Sequence, residues 1–232
     1  MNNHLTNLEG LRIVAMALAE LNEKVVFVGG ATVSLYADDA AAVEPRPTDD
    51  IDVVVEVATY GEFTSRIEER LRQLGFTNDQ ESGVICRYKI HGLTVDVMPT
   101  DTNVLGFSNR WYKGGVAQSI EYQINKQQSI HIFSAPYSIA TKLEAFKSFR
   151  RGRDPRGNSD FEDLIYLFDN RNELFREISE SPEILCSYLQ KEITILYDDP
   201  NVEENIYGHL EPRMASQRMQ RILKIWRGIA SL

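Results

Sequence analysis

The sequence predicts an α+β chain in two parts. A mixed β/α half, with a small mixed or antiparallel sheet and flanking helices, occupies residues 1–135, and a helical bundle occupies residues 136–232. Three observations carry this. Short β-branched runs such as VVFV and DIDVVV punctuate the first half. Segments of helical period lie between those runs. After Pro136 the strand signals stop and one helical segment follows another.

The elements follow in order. Residues 5–22, LTNLEGLRIVAMALAELN, place apolar side chains at helical spacing and predict an amphipathic helix. VVFVG (25–29) is a short buried strand ended by Gly29-Gly30, and ATVSLYA reads as a helix that starts at those glycines. The polar segment 38–48 is a loop kept extended by Pro45 and Pro47. DIDVVVEV (50–57) is a strand, and YGEFTSRIEERLRQLGF is a helix with Gly75 near its C-terminus. ICRYKI (85–90) and LTVDVMP (93–99) form a hairpin turning at His91-Gly92. Residues 101–128 carry no clear periodicity, and SIHIFS (129–134) is a last strand. Helices are then predicted over 137–150, 159–169, 171–179, 182–197 and 213–231.

Composition excludes several classes of function. No apolar run approaches the roughly 20 residues of a membrane span. The start, MNNHLTNLEG, has no basic and apolar leader, so the cytoplasm is the expected location. Cys86 and Cys186 form no CxxC pair and read as reduced structural thiols. The four histidines are scattered, which argues against zinc hydrolase or deaminase chemistry. The net charge of −9 argues against indiscriminate nucleic-acid binding, yet it is unevenly spread. Residues 142–156 carry six Lys/Arg against two acids, and residues 213–232 carry five against none.

The carboxylates point to chemistry. Asp50 and Asp52, two apart on a strand, project from one face, and Asp96 lies among valines on a second strand. If those strands are neighbours, three carboxylates converge, which is costly unless cations compensate them. An all-oxygen set suits a hard ion, Mg²⁺ first with Mn²⁺ as the alternative. Mg²⁺ completes its shell with water and phosphate oxygens, which implies nucleoside triphosphate chemistry. Gly29-Gly30 fits the same reading, because backbone can approach phosphate closely at such a turn.

The ordered segment VGGATVSL…RPTDDIDVVV…VDVMP resembles the polymerase-β-like nucleotidyltransferase superfamily, and within it the AbiEii/AbiGii-type toxin nucleotidyltransferases. The family's Arg-x-Ser/Thr-x-Asp-x-Asp signature is met by Arg46, Thr48, Asp50 and Asp52. Its later helix Lys and Asp-x-x-Asp pair are matched by Lys142 and by Asp160 and Asp163. The resemblance spans roughly residues 25 to 170. Two departures stand out. Ala31 replaces the serine that often follows the glycine, so a phosphate-touching hydroxyl must come from Thr32 or Ser34, or be absent. Ser159 replaces the basic residue before the second Asp pair, so its role is missing or moved to Arg153 or Arg156.

The resemblance implies a metal-dependent transfer of a nucleotide from an NTP with release of pyrophosphate. Asp50, Asp52 and Asp96 would be metal ligands, and Asp96 would also help deprotonate the attacking hydroxyl. Lys142 would neutralise phosphate charge. Lys142 and Asp160 count with the three aspartates as catalytic candidates; Gly29, Gly30, Thr32, Ser34, Arg46 and Lys142 are the nucleotide-binding candidates. Structural alternatives stay open: Lys142 as a solvated lysine, Asp160 and Asp163 as helix-start charges, and Arg46 as a loop clasp on Asp49. The acceptor is expected to be a macromolecule, RNA such as tRNA guided by basic segments 142–156 and 213–227, or a protein. An antitoxin is an expected partner, and no membrane is. A small-molecule adenylyltransferase of the antibiotic type and a non-catalytic nucleotide-binding module are the alternatives.

Overall fold

A computed structural model describes residues 6–21, 23–39, 42–57, 59–148 and 154–232. Two compact units emerge, one of residues 1–32 and 46–134, the other of residues 33–45 and 135–232. The predicted α+β class is what the chain adopts.

In the first unit, helix α1 (Asn7–Leu18) starts at a reciprocal cap in which Thr6 and Glu9 bond each other's backbone N–H. Strand β1 (Val25–Val28) leads into a seven-residue 3₁₀ helix, Gly30–Tyr36. The α-helix expected there is thus replaced by the tighter form. The Thr32 N–H donates to Gly29 O at 3.4 Å and the Thr32 hydroxyl donates to the same oxygen at 3.0 Å, three residues back, as the tighter turn requires.

Strand β2 (Asp50–Val55) follows. The single helix read over YGEFTSRIEERLRQLGF is three joined pieces: α2 (Tyr60–Glu62), a π-helical stretch (Phe63–Glu68) and α3 (Glu69–Gln73). Phe63, Ile67 and Leu71 line its buried side. Next come β3 (Thr77–Asn78), β4 (Arg87–Ile90) and β5 (Leu93–Pro99). The predicted hairpin forms, with His91 at φ 50° and Gly92 at φ 80° supplying the two left-handed positions of a tight two-residue turn. The stretch without periodicity holds α4 (Thr102–Leu105), α5 (Tyr112–Ala117) and β6 (Ile120–Asn125), and β7 (Gln128–Ile132) ends the unit.

The seven strands make one mixed sheet in the order β3-β4-β5-β2-β1-β7-β6. β2 lies at its centre, antiparallel to β1 and parallel to β5. Central position explains its composition: Ile51, Val53, Val54 and Val55 are all buried, as expected for a strand covered on both faces.

The second unit is helical: α6 (Ala135–Lys147), a 3₁₀ turn (Pro155–Gly157), α7 (Ser159–Asn170), α8 (Leu174–Ser179), α9 (Glu183–Tyr197), α10 (Val202–Tyr207) and α11 (Ala215–Ala230). α10 was not anticipated, since its six residues are too few to show a period. α6, α7, α9 and α11 pack on one another, and Phe168 meets Trp226 edge-on with ring centroids 5.6 Å apart. Among the described residues, no helix is long and apolar enough to cross a membrane.

Candidate active site

Sheet register builds the acidic site. Val28 of β1 pairs with Asp52 of β2, Asp52 with Asp96 of β5, and Asp96 with Arg87 of β4. Paired residues on adjacent strands share a face, so Asp52, Asp96 and Arg87 stand side by side in one row across the sheet. Asp50 joins them, two residues before Asp52 on the same face. Asp50, Asp52 and Asp96 each offer a carboxylate oxygen, and the three oxygens lie within 4.8 Å of one another. Among the described residues this is the group able to hold a metal ion. The convergence anticipated from the sequence is therefore present. The donor set is all oxygen with no imidazole or thiolate, which fits a hard divalent cation.

Gly29 closes one side. It has φ 77°, and a Cβ built there would lie 2.0 Å from Asp52 Oδ2. Only glycine lets the turn after β1 approach that carboxylate. Gly30 begins the 3₁₀ helix. Thr32 is fully buried with its hydroxyl spent on Gly29 O, and Ser34 is half-buried.

Two residues that position the site were missed in the sequence. The first is Arg87. Its Nε donates to Asp96 Oδ1 at 2.8 Å, and its Nη2 donates to Asp96 Oδ2 at 2.7 Å and to Asp50 Oδ2 at 2.8 Å. Hydrogen bonding to Asp96 outweighs partial burial, and these charges push the guanidinium's pKa above its ordinary value. The carboxylates were expected to need a cation, and the chain supplies one. The turn carried the signal: a two-residue turn at His91-Gly92 sets Ile90 against Leu93, and counting back sets Arg87 against Asp96.

The second is Asn7. Its Nδ2 donates to Arg46 O at 3.0 Å and its Oδ1 accepts from Thr48 N at 2.9 Å. The Thr48 hydroxyl in turn donates to Asp50 O at 3.0 Å. α1 thereby aims the extended segment that delivers Asp50 to the sheet. Arg46 is half-buried and Asp49 exposed.

Cys86, next to Arg87, is buried. Its burial, followed by the negative charge of Asp96, pushes the thiol up to about 12.

The remaining candidates form a separate constellation in the helical unit. Lys142 on α6 contacts Asp160 Oδ1 at 3.1 Å and Asp163 Oδ2 at 2.6 Å on α7, and all three are buried. Asp160 and Asp163 lie one helical turn apart, and the Asn158 side chain caps that helix start by accepting from the N–H of Asp160 and of Phe161. Burial works against a charged Lys142, but Asp163 and Asp160 outweigh it and hold the ammonium's pKa above its usual value. The solvated-lysine alternative is thus set aside: Lys142 is only 7% exposed.

The basic segments are partly engaged already. Lys147 pairs with Glu144 and Glu192, Arg156 with Asp154 and Glu204, and Arg218 with Asp169 and Asp39. Met219, Ile222 and Trp226 of α11 are buried, with Leu223 half-buried. Arg213, Lys224 and Arg227 are exposed. Arg150, Arg151 and Arg153 lie outside the described residues.

Among solved structures the chain is similar to an antigenic nucleotidyltransferase-like protein from Paracoccidioides brasiliensis, with a TM-score of 0.53 and 18% identity over 89% of this chain and 94% of that one. At that identity the likeness is one of fold. Among curated proteins no significant sequence match was found. A family model described as nucleotidyl transferase AbiEii toxin, type IV toxin–antitoxin system, matches residues 12–221. With nearly the whole chain matched, this protein belongs to the AbiEii nucleotidyl transferase toxin family.

Proposed function

We propose that this family member is a metal-dependent, cytoplasmic nucleotidyltransferase that moves an NMP from an NTP to a macromolecular acceptor, RNA or protein, and is the toxin of a toxin–antitoxin pair. The observation that carries the reading is the single row of Asp52 and Asp96, with Asp50 beside them, placed against the backbone of Gly29. Residues 1–135 would be the catalytic domain and residues 136–232 a helical domain.

Asp50, Asp52 and Asp96 would hold Mg²⁺ or Mn²⁺, which supplies charge neutralisation for the attacking and leaving oxygens. The backbone at Gly29-Gly30 would be the part of the turn that approaches phosphate oxygens. Asp96 takes the proton of the acceptor hydroxyl, whose oxygen bonds to the α-phosphorus as the bond to the β-phosphate oxygen breaks and pyrophosphate leaves. Lys142 and Asp160, with Arg46, Thr32 and Ser34, remain the family-derived candidates for phosphate binding and catalysis. Exposed Arg213, Lys224 and Arg227 favour an anionic acceptor such as tRNA.

Incubation with each α-labelled NTP, Mg²⁺ and total RNA or protein tests the proposal. Label is expected to appear in one macromolecular fraction and to vanish with chelator or with Asp52→Asn. Transfer that persists in a folded Asp50→Asn/Asp52→Asn double variant would refute the metal role.

A further inference from the structure

Arg87 partly compensates the acidic row, one positive charge against three carboxylates, and it does so through oxygens a metal would need. It takes both oxygens of Asp96 and one of Asp50, with Nη2 bridging the two side chains. Two consequences follow for the mechanism above. A divalent ion entering among these carboxylates meets a positive charge already bonded to them. Asp96, with both oxygens accepting from a guanidinium, is also a poor acceptor for a substrate proton.

Release of Arg87 by deprotonation is closed off, because an arginine keeps its proton throughout the working pH range. Exchange for another anion is open. Arg87 is the first residue of β4 and its side chain is 25% exposed, so the guanidinium is in part open to solvent. A triphosphate presents paired anionic oxygens that match the guanidinium fork as well as a carboxylate does.

We propose that Arg87 is an internal counter-cation that competes with the divalent metal for Asp50 and Asp96, and that it yields them when nucleotide phosphates take over the guanidinium, coupling metal loading to nucleotide binding. The inference rests on the metal-dependent reading above. It leaves the row partly compensated, one guanidinium against three carboxylates, and reserves the loaded site for the moment substrate is present.

Mn²⁺ titration of the full chain, followed by the electron paramagnetic resonance signal of free Mn²⁺, tests this with and without an α,β-methylene NTP analogue. All four bases are tried, and neither arm requires turnover. Wild type should bind Mn²⁺ weakly alone and much more tightly with the analogue. Arg87→Gln should bind Mn²⁺ alone about tenfold or more tighter than wild type. The analogue should then add less to its affinity than it adds to wild type. Direct metal–phosphate bonds contribute to both proteins, so the difference between them reads Arg87. Arg87→Lys keeps the charge but cannot bridge Asp50 and Asp96 in the same way, and should shift in the same direction. It also serves if the glutamine variant fails to fold. Variants that bind Mn²⁺ no tighter than wild type, or show unchanged coupling, overturn the proposal while leaving the metal reading intact. Absence of Mn²⁺ binding in wild type, even with every analogue, would overturn both.

Discussion

Replacing Gly29 with alanine probes how tightly the turn after β1 is built against the acidic row. Gly29 has φ 77°, and an added Cβ would lie 2.0 Å from Asp52 Oδ2, 2.8 Å from its Cγ and 3.0 Å from its Cβ. Turning the carboxylate about χ2 does not relieve this, because Cγ itself is too near. Either Asp52 changes χ1 and leaves the cluster, or the turn moves. The left-handed backbone alone costs an alanine about 1–2 kcal/mol. Moving a packed turn adds about 1–3 kcal/mol. If Asp52 yields, the stability loss is confined to the backbone cost, a fall of about 2–4 °C in Tm per kcal/mol, and Mn²⁺ affinity drops because one ligand is gone. If the turn yields, stability falls by the larger sum and Mn²⁺ binding survives in part. Urea denaturation paired with Mn²⁺ titration separates the two routes. Asp52→Ala removes Oδ2 and Cγ, so in that background Gly29→Ala should cost only the backbone strain. A Gly29→Ala protein with both the stability and the Mn²⁺ affinity of the parent would refute the reasoning.

Lys142→Met leaves Asp160 and Asp163 buried without their cation, and should destabilise the chain by about 3–5 kcal/mol in urea denaturation; a variant that keeps its stability yet loses transfer would show the lysine to be purely catalytic. In native protein at pH 8 a thiol reagent should modify half-buried Cys186 well before buried Cys86, and denaturant should equalise them. Cys86 has its folded pKa raised from 9.0 to about 12, so its contribution to stability is complete below pH 9 and is lost as pH rises through about 12. Cys86→Ala should flatten that part of the stability–pH curve, measured by thermal unfolding.

Much of the acidic site was legible because its logic is local. A strand's two-residue period puts Asp50 and Asp52 on one face whatever the rest of the chain does, and the valines around Asp96 mark a buried strand. The hairpin was equally legible, since His91-Gly92 is a two-residue turn that only left-handed backbone can close. Stretches 60–73 and 101–128 were less so. Their helices are short or change type along their length, so no period develops.

What the sequence by itself determined is which side chains face together within each strand or helix, including Asp160 with Asp163. What only the tertiary structure decided is which elements become neighbours. Parallel pairing of β2 with β5, separated by some forty residues of chain, brings Asp96 to Asp52. Antiparallel pairing of β4 then delivers the Arg87 guanidinium to Asp96 and Asp50. Packing of α6 on α7 turned Lys142 from an outward lysine into a buried one held by two carboxylates. The division is physical: backbone geometry repeats every two or 3.6 residues and can be read along the chain. Charge compensation acts through space between segments that only folding brings together.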